Sequence, residues 1–186
     1  MSIFLETSRL TLRRFTEADE DNLVELDSDP QVVRFTGEPT PREEVRDRVL
    51  PIVFGFYERF EGFGYWAAEE KPTGRFLGWF HFRPPRNEPP DGEIELGYRL
   101  RRSAWGKGYA TEGSRALIHK GFTELGVERV VAETMAVNLG SRRVMEKSGL
   151  TLVRAFHRDG LDSVEGFEHG VVEYALTRAD WERGAR

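Results

Sequence analysis

The amino-acid sequence predicts a mixed α/β fold. Apolar residues recur with a period of two in some stretches and near 3.6 in others, which is typical of strands and helices respectively. These stretches alternate in the order strand, two helices, three strands, helix, strand, helix and two strands. We therefore expect a mixed central sheet of about six or seven strands flanked by about four helices. The 186 residues suit one domain, which we place over 1–186 with a short C-terminal tail at 178–186.

The first predicted strand covers residues 8–15, where leucines alternate with mostly charged side chains. Thr16 and Asp19 follow with the spacing of a capping box, so a helix is predicted to begin there. A second helix start is predicted at 40–43, where a proline and a glutamate follow a threonine. Pro51 interrupts the apolar pattern of that helix and should kink or split it.

The period changes to two at residue 63. Two aromatic-rich runs, 63–69 and 75–83, lie on either side of a Lys-Pro-Thr-Gly turn, so they are predicted to form a hairpin. Residues 84–92 are rich in proline and have the composition of an exposed loop. A further strand is predicted at 93–100.

The second half of the chain alternates helices with strands. A helix, a strand, a helix and two strands are predicted in turn at 111–125, 129–136, 139–148, 150–159 and 168–177. Gly149 follows the second of these helices, where a left-handed residue commonly ends a helix.

Charge and cysteine content exclude several classes of protein. There are 27 Lys and Arg against 32 Asp and Glu, and a formal net charge of −5 argues against a general nucleic-acid-binding protein. The chain has no cysteine, which excludes disulfides, thiolate nucleophiles and thiolate metal sites. The histidines do not have metal-ligand spacing, so we expect no metal site; they are His81, His119, His157 and His169.

No targeting or membrane segment is predicted. The first residues lack a basic end followed by an apolar run, and the apolar runs are far shorter than the ~20 residues that span a bilayer. We therefore expect a soluble, cytoplasmic protein that binds neither nucleic acid nor a membrane.

A glycine-containing segment, Trp-Gly-Lys-Gly-Tyr-Ala-Thr at 105–111, lies between a predicted strand and a predicted helix. Glycines let backbone amides approach a ligand, and a helix N-terminus favours an anion, so the segment suits a phosphate or diphosphate. Its spacing matches neither a P-loop nor a dinucleotide-binding fingerprint, since position 111 is a threonine. On its own the segment is equally consistent with a plain turn.

Together with four other segments, this loop resembles the N-acetyltransferases of the GNAT superfamily, and within it the RimJ/RimL-like group. The similar segments occur in order at 7–13, 95–100, 138–150 and 174–181, so the resemblance covers nearly the whole chain. It implies a GNAT-like fold in which two central parallel strands splay apart. It also implies acetyl-CoA as the co-substrate, with the acetyl group moved to a primary amine by direct attack in a ternary complex.

The resemblance implies a site for acetyl-CoA on both sides of the splay. The family's diphosphate loop falls on 105–110, where Trp105 replaces the usual Gln or Arg. Leu100 matches the position whose backbone pairs with the pantetheine arm, and Asn138 matches an asparagine that reaches the arm from the far side. Asn138 is also a good N-cap. The implied binding residues are Leu100, Trp105, Gly106, Lys107, Gly108, Tyr109, Ala110, Thr111, Asn138, Ser141 and Arg142.

Direct transfer to an amine needs a base for the ammonium proton and can use an acid for the leaving thiolate. Glu95 on the central strand is our first candidate for the base and Glu133 on the neighbouring strand our second, acting directly or through a water. Both are equally consistent with ordinary solvent-facing strand residues. Many family members have a tyrosine as the acid, but the matching residue here is Met145. Ser141 and Tyr98 are the candidate acids, and the thiolate can also leave unassisted.

The acceptor and the partners are less constrained. An acidic run beside the predicted centre favours a cationic acceptor, either a protein N-terminal amine or a small cationic amine, although the run also suits a solvated edge; it comprises Glu88, Asp91, Glu93 and Glu95. Exposed edges of such sheets often pair, so a homodimer is compatible with the sequence. The alternative function is a non-catalytic acyl-CoA-binding module, which the replacement at Met145 favours.

Overall fold

The computed structural model describes residues 2–85 and 91–184. They form one mixed sheet of eight strands in the order β1-β2-β3-β4-β5-β6-β8-β7. The strands are β1 Ile3–Glu6, β2 Leu10–Arg13, β3 Gly64–Glu70, β4 Arg75–Arg83, β5 Glu93–Leu100, β6 Arg129–Met135, β7 Thr151–Phe156 and β8 Val171–Thr177. The predicted α/β class and mixed sheet are confirmed.

Helices cover both faces of the sheet. They are α1 Glu20–Asp27, α2 Pro30–Val33, α3 Arg42–Glu44, α4 Leu50–Arg59, α5 Tyr109–Glu124, α6 Leu139–Lys147 and α7 Arg178–Gly184. The buried side chains of α5 and α6 pack with Phe80 and Phe82 of β4 in the main core, whereas α1 and α4 share a second core with Phe76 and Ala67. Within the described residues, no helix is both long and apolar enough to cross a membrane.

The central strands β5 and β6 are parallel and separate after a short pairing. Among the described residues, only Glu93, Ile94 and Glu95 pair with β6, opposite Arg129–Val131. Farther along, β5 remains paired with β4 while β6 pairs with β8. The predicted splay between the two central strands is therefore present.

The structure has more elements than the sequence predicted. β1 was not predicted because it is only four residues long and leaves Ile3 exposed, although Phe4 stacks on Trp66 with ring centroids 3.7 Å apart. The segment predicted as a C-terminal tail forms α7, whose start is capped by Thr177 and Asp180, with Thr177 Oγ1 accepting from Asp180 N at 3.1 Å. Neither segment shows the alternation or the 3.6-residue period of apolar side chains that predicted the other strands and helices.

Pro51 does not split its helix, which runs without a break from α3 to α4. A π-helical turn at Val45–Val49 precedes the proline, and Leu50 N bonds to Val45 O there. Proline lacks the amide hydrogen of a regular helical bond, and the wider turn occurs just before that missing donor.

Two glycines set the distance between α5 and the sheet. A Cβ added to Gly113 would lie 2.3 Å from Phe80 Cζ, and one added to Gly121 would lie 2.7 Å from Phe82 Cζ. Both phenylalanines are fully buried, so neither ring has room to move away. The start of α5, which forms part of the site below, is positioned by this close packing.

Replacing Gly113 with alanine should therefore lower the free energy of unfolding by about 1–3 kcal/mol, because overpacking in a full core is destabilising. Gly55 in α4 is the matched control, since a Cβ there meets nothing within 4 Å. Gly55→Ala should raise the free energy of unfolding by about 0.5–1 kcal/mol through helix propensity. Urea denaturation of the two variants measures both changes in the free energy of unfolding. Changes of the same sign in the two variants would contradict the proposed close packing of Gly113 on Phe80.

Candidate active site

The opening between β5 and β6 exposes two strand edges. Beyond Glu95 and Val131 the two strands no longer pair with each other. Buried backbone amides and carbonyls need hydrogen-bond partners, so an extended ligand can add to such an edge as another strand would.

A cavity of about 570 Å³ lies at the mouth of this opening. It is bounded by the end of β5, the turn before α5, the start of α6 and residues of α2 and the segment after it. Ten of the residues proposed from the sequence line it: Tyr98, Leu100, Trp105, Gly106, Gly108, Tyr109, Ala110, Thr111, Asn138 and Ser141. Four others do not line it: Lys107, Arg142, Glu95 and Glu133.

The turn before α5 presents unpaired amides to the cavity. Gly106 and Gly108 have φ values of +70° and +83°, which few other residues adopt without strain. Within the described residues, the amides of residues 106–111 donate no close, well-aligned backbone hydrogen bond, and 105–108 form a turn. These amides and the N-terminus of the 16-residue α5 can together bind an anion.

Two cations of α6 that the sequence reasoning missed also line the cavity. Arg143 and Lys147 are exposed and lie one turn apart on α6. The signal in the sequence is their i, i+4 spacing, which places both side chains on the same face of a helix. Arg142 instead donates to the Tyr174 hydroxyl at 3.1 Å and to Ala136 O at 3.0 Å, so it fixes α6 against the sheet.

Trp105 covers the end of β5. Its indole Nε1 donates to Leu100 O at 2.7 Å, although 48% of the residue remains exposed. This tryptophan stands where the family usually has Gln or Arg. It contacts the end of β5, whose backbone is implied by the resemblance to pair with pantetheine.

Asn138 connects β6 to α6 at the far side of the opening. Its Oδ1 accepts from Ser141 N at 3.2 Å as the N-cap of α6, and its Nδ2 donates to Thr134 Oγ1 at 3.0 Å. The side chain lies at the cavity as well, so capping and ligand contact are compatible.

Two hydroxyls meet across the opening. The Tyr98 hydroxyl of β5 lies 3.0 Å from both the carbonyl oxygen and Oγ of Ser141 on α6. Burial raises the pKa of Tyr98, so its hydroxyl stays protonated. Met145, at the position of the family's usual acid, is buried in the core and does not line the cavity.

Glu95 lies on the opposite face of β5, beside His81 and Arg83 of β4. Its carboxylate oxygens are 3.3 Å from His81 Nε2 and 3.4 Å from an Arg83 nitrogen. Burial opposes the charge on Glu95, but the bond to His81 and the positive charge of Arg83 outweigh it and lower the pKa. Burial also lowers the pKa of His81. The pair is therefore a carboxylate beside a neutral imidazole at neutral pH.

The other acids on this face also have cationic partners. Glu133 Oε2 is 2.6 Å from Arg158, and Arg129 forms an ion pair with Glu93. Of the predicted acidic run, Glu88 lies outside the described residues. The described glutamates of the run are thus neutralised by arginines.

Comparison with known proteins identifies the family. The acetyltransferase (GNAT) domain family matches residues 9–151, well over half of the chain. The chain belongs to the GNAT acetyltransferase family. The predicted resemblance and the N-acetyltransferase class are confirmed.

Relatives of this GNAT protein include named enzymes. The FsC-acetyl coenzyme A-N(2)-transacetylase of Aspergillus fumigatus is 34% identical over 186 residues, 96% of this chain and 78% of the relative. YdaF of Bacillus subtilis, provisionally named a ribosomal N-acetyltransferase, is 39% identical over 178 residues, 93% of each chain. The chain also superposes on RimL, the ribosomal L7/L12 alpha-N-protein acetyltransferase, whose structure is a complex with coenzyme A. The TM-score is 0.78 at 21% identity, and the superposition covers 95% of this chain and 98% of RimL. The two proteins have the same fold.

Substituting Arg83 with methionine should raise the pKa of Glu95, because a nearby positive charge is removed. In the native protein the lowered pKa contributes stability that is present above the unfolded carboxyl pKa and lost as pH falls through the folded one. Arg83→Met should therefore lose less stability on acidification. An NMR titration of the Glu95 carboxyl carbon measures the shift, with Arg129→Met as a control that leaves Glu95 unchanged.

If Glu95 titrates at the same pH in Arg83→Met and in the native protein, Arg83 does not set its charge.

Proposed function

We propose that this enzyme transfers the acetyl group of acetyl-CoA to a primary amine by direct attack in a ternary complex. The observation that carries the proposal is the row of unpaired amides at 106–111 beside the opening between β5 and β6. Together they suit a ligand with an anionic end and an extended arm that can pair with a strand edge. Acetyl-CoA has both parts, and the name of the Aspergillus relative includes acetyl coenzyme A.

The donor would lie across the cavity in a defined direction. Its diphosphate would accept from the amides of 106–111, with Arg143 and Lys147 supplying positive charge from α6. Its pantetheine arm would follow the free edge of β5 near Leu100, opposite Asn138. The thioester would then reach the narrow end of the opening, where Glu95 begins the separation of the strands.

The reaction forms one carbon–nitrogen bond and breaks one carbon–sulfur bond. The neutral amine attacks the thioester carbonyl carbon, and a backbone amide of β5 can stabilise the charge that develops on the oxygen. The ammonium proton passes first to Glu95, directly or through a water, to leave that neutral amine. When the tetrahedral adduct collapses, the nitrogen loses its remaining extra proton, either to solvent or through the Tyr98–Ser141 hydroxyl pair to the departing thiolate, which can also leave unassisted.

Glu95 remains our first candidate for the base. It lies where the two strands part, with His81 Nε2 at 3.3 Å from its carboxylate. Glu133 is bonded to the Arg158 guanidinium at 2.6 Å, and that partner would oppose its protonation.

Calorimetry with acetyl-CoA tests the donor, with ATP and NADH as controls. We expect selective binding of acetyl-CoA, because only it combines the anionic end with the extended arm. Equal binding of all three would indicate a general nucleotide site, and no binding of acetyl-CoA at millimolar concentration would refute the proposal.

Substituting Glu95 with glutamine should lower kcat by about 100-fold or more while leaving the affinity for acetyl-CoA unchanged, as expected for loss of a general base. Glu93→Gln, two residues earlier on the same face of β5, is the matched control and should retain activity. A larger loss in Glu133→Gln than in Glu95→Gln would move the base to β6.

The acceptor is proposed to be a protein N-terminal amine or a small amine. Glu93, Glu95 and Glu133 each pair with an arginine, so among the described acids of the predicted run Asp91 alone has no ion pair and they form no unpaired acidic cluster for a polycation. YdaF is named for a ribosomal acceptor. The test measures the release of free thiol from acetyl-CoA, first with N-terminal peptides and then with small monoamines and polyamines as acceptors. Turnover with polyamines alone would contradict the inference that the site has no acidic cluster for a polycation.

A further inference from the structure

The turn between β1 and β2 packs against the first turn of α5, more than 100 positions away. One carboxylate, that of Glu112, accepts from three consecutive residues of this turn. Its Oε1 lies 2.6 Å from Thr7 Oγ1, 3.1 Å from Ser8 Oγ and 3.0 Å from Arg9 N, and its Oε2 lies 2.6 Å from Arg9 Nε. These bonds fix the start of α5 to the edge of the sheet.

Arg9 also contacts the anion-binding turn itself. Its Nη1 donates to Lys107 O at 2.9 Å, and its guanidinium lies 4.4 Å from the centroid of the Tyr109 ring. Neither Arg9, Lys107 nor Glu112 lines the cavity, whereas Gly106, Gly108 and 109–111 do. Arg9 therefore contacts the turn away from the cavity surface and is placed to fix its amides without touching the ligand.

These contacts have a conformational consequence. The turn contains two glycines with positive φ, and glycine gives an unbound loop many alternative conformations. A ligand that binds to an ordered loop avoids the entropy loss of ordering it. By bridging Lys107 O and Glu112, Arg9 limits the alternatives before the ligand arrives.

They also have an electrostatic consequence. Glu112 lies in the first turn of α5, and its side chain is 18% exposed. An unpaired carboxylate there would repel an anion bound at the amides of 106–111. The Arg9 guanidinium, 2.6 Å from Glu112 Oε2, neutralises that charge.

We propose that Arg9 is a positioning residue for the acyl donor, which holds the amides of 106–111 in place for the donor's diphosphate. The inference rests on the proposed function, since it takes the diphosphate of acetyl-CoA to bind at these amides. It assigns a role in binding to the first β-turn of the chain, which does not itself line the cavity.

The test compares two donors that differ at the anionic end. Acetyl-CoA has the diphosphate with its adenosine and 3′-phosphate, and S-acetylpantetheine has the same arm and thioester without these groups. In Arg9→Ala we expect the dissociation constant of acetyl-CoA to rise about tenfold, which is the effect of one charge-assisted contact. The dissociation constant of S-acetylpantetheine should change less than twofold. NMR titration measures both constants. Lys71→Ala is the matched control, because this substitution removes the same charge at a different ion pair. Lys71 Nζ lies 3.1 Å from Glu6 Oε1 of β1.

Each outcome decides between the explanations. An equal loss for both donors in Arg9→Ala would mean a merely structural role, and no loss for acetyl-CoA would mean no role; either overturns the inference. Arg9→Lys retains the charge but cannot bridge Glu112 and Lys107 O as the guanidinium does, so we expect it to restore binding only in part. Complete restoration would also overturn the positioning role. If the unsubstituted protein binds both donors equally, the proposed diphosphate site itself fails.

Discussion

The short pairing of β5 with β6 is the constraint on which the site depends. The two strands are parallel neighbours over three residues and then separate, while β5 stays paired with β4 and β6 with β8 on their other sides. Because α5 follows β5 and α6 follows β6, the N-termini of both helices lie at the mouth of the gap. The gap is crossed by a side-chain contact, between the Tyr98 hydroxyl and Ser141, rather than by a strand ladder. A continuous ladder at this point would remove the cavity.

The alternation of side chains along β5 divides the proposed chemistry between two faces of the sheet. Tyr98 points to the face covered by α5 and α6, and Glu95 points to the face that also carries His81. A thioester in the gap would therefore have a hydroxyl on one side and a carboxylate on the other. Gly97 between them is needed for packing, because a Cβ there would lie 2.5 Å from the His81 ring.

Local signals in the sequence predicted much of the fold and suggested the turn at 106–111 as the proposed anion site. The roles proposed for Gly106 and Gly108 depend on their own backbone conformation, and the capping role of Asn138 depends on the next turn of helix. A sequence pattern is enough to suggest such local roles. The partners of Glu95 could not be predicted in this way. His81 reaches it through strand pairing of β4 with β5. Likewise, Arg9 meets Glu112 only because the β1–β2 turn packs on α5.

Net charge is a poor guide to the local electrostatics of the cavity in this protein. The chain carries a formal charge of −5, yet the cavity presents amides, a helix N-terminus and the cations Arg143 and Lys147. Charges are screened over about 8 Å at physiological ionic strength, so the groups that line the cavity outweigh distant acidic residues. The nearby acids are themselves paired, Glu112 with Arg9 and Glu95 with Arg83. An acidic protein can thus bind a polyanion, because pairing of its acids near the site leaves the local amides and cations unopposed.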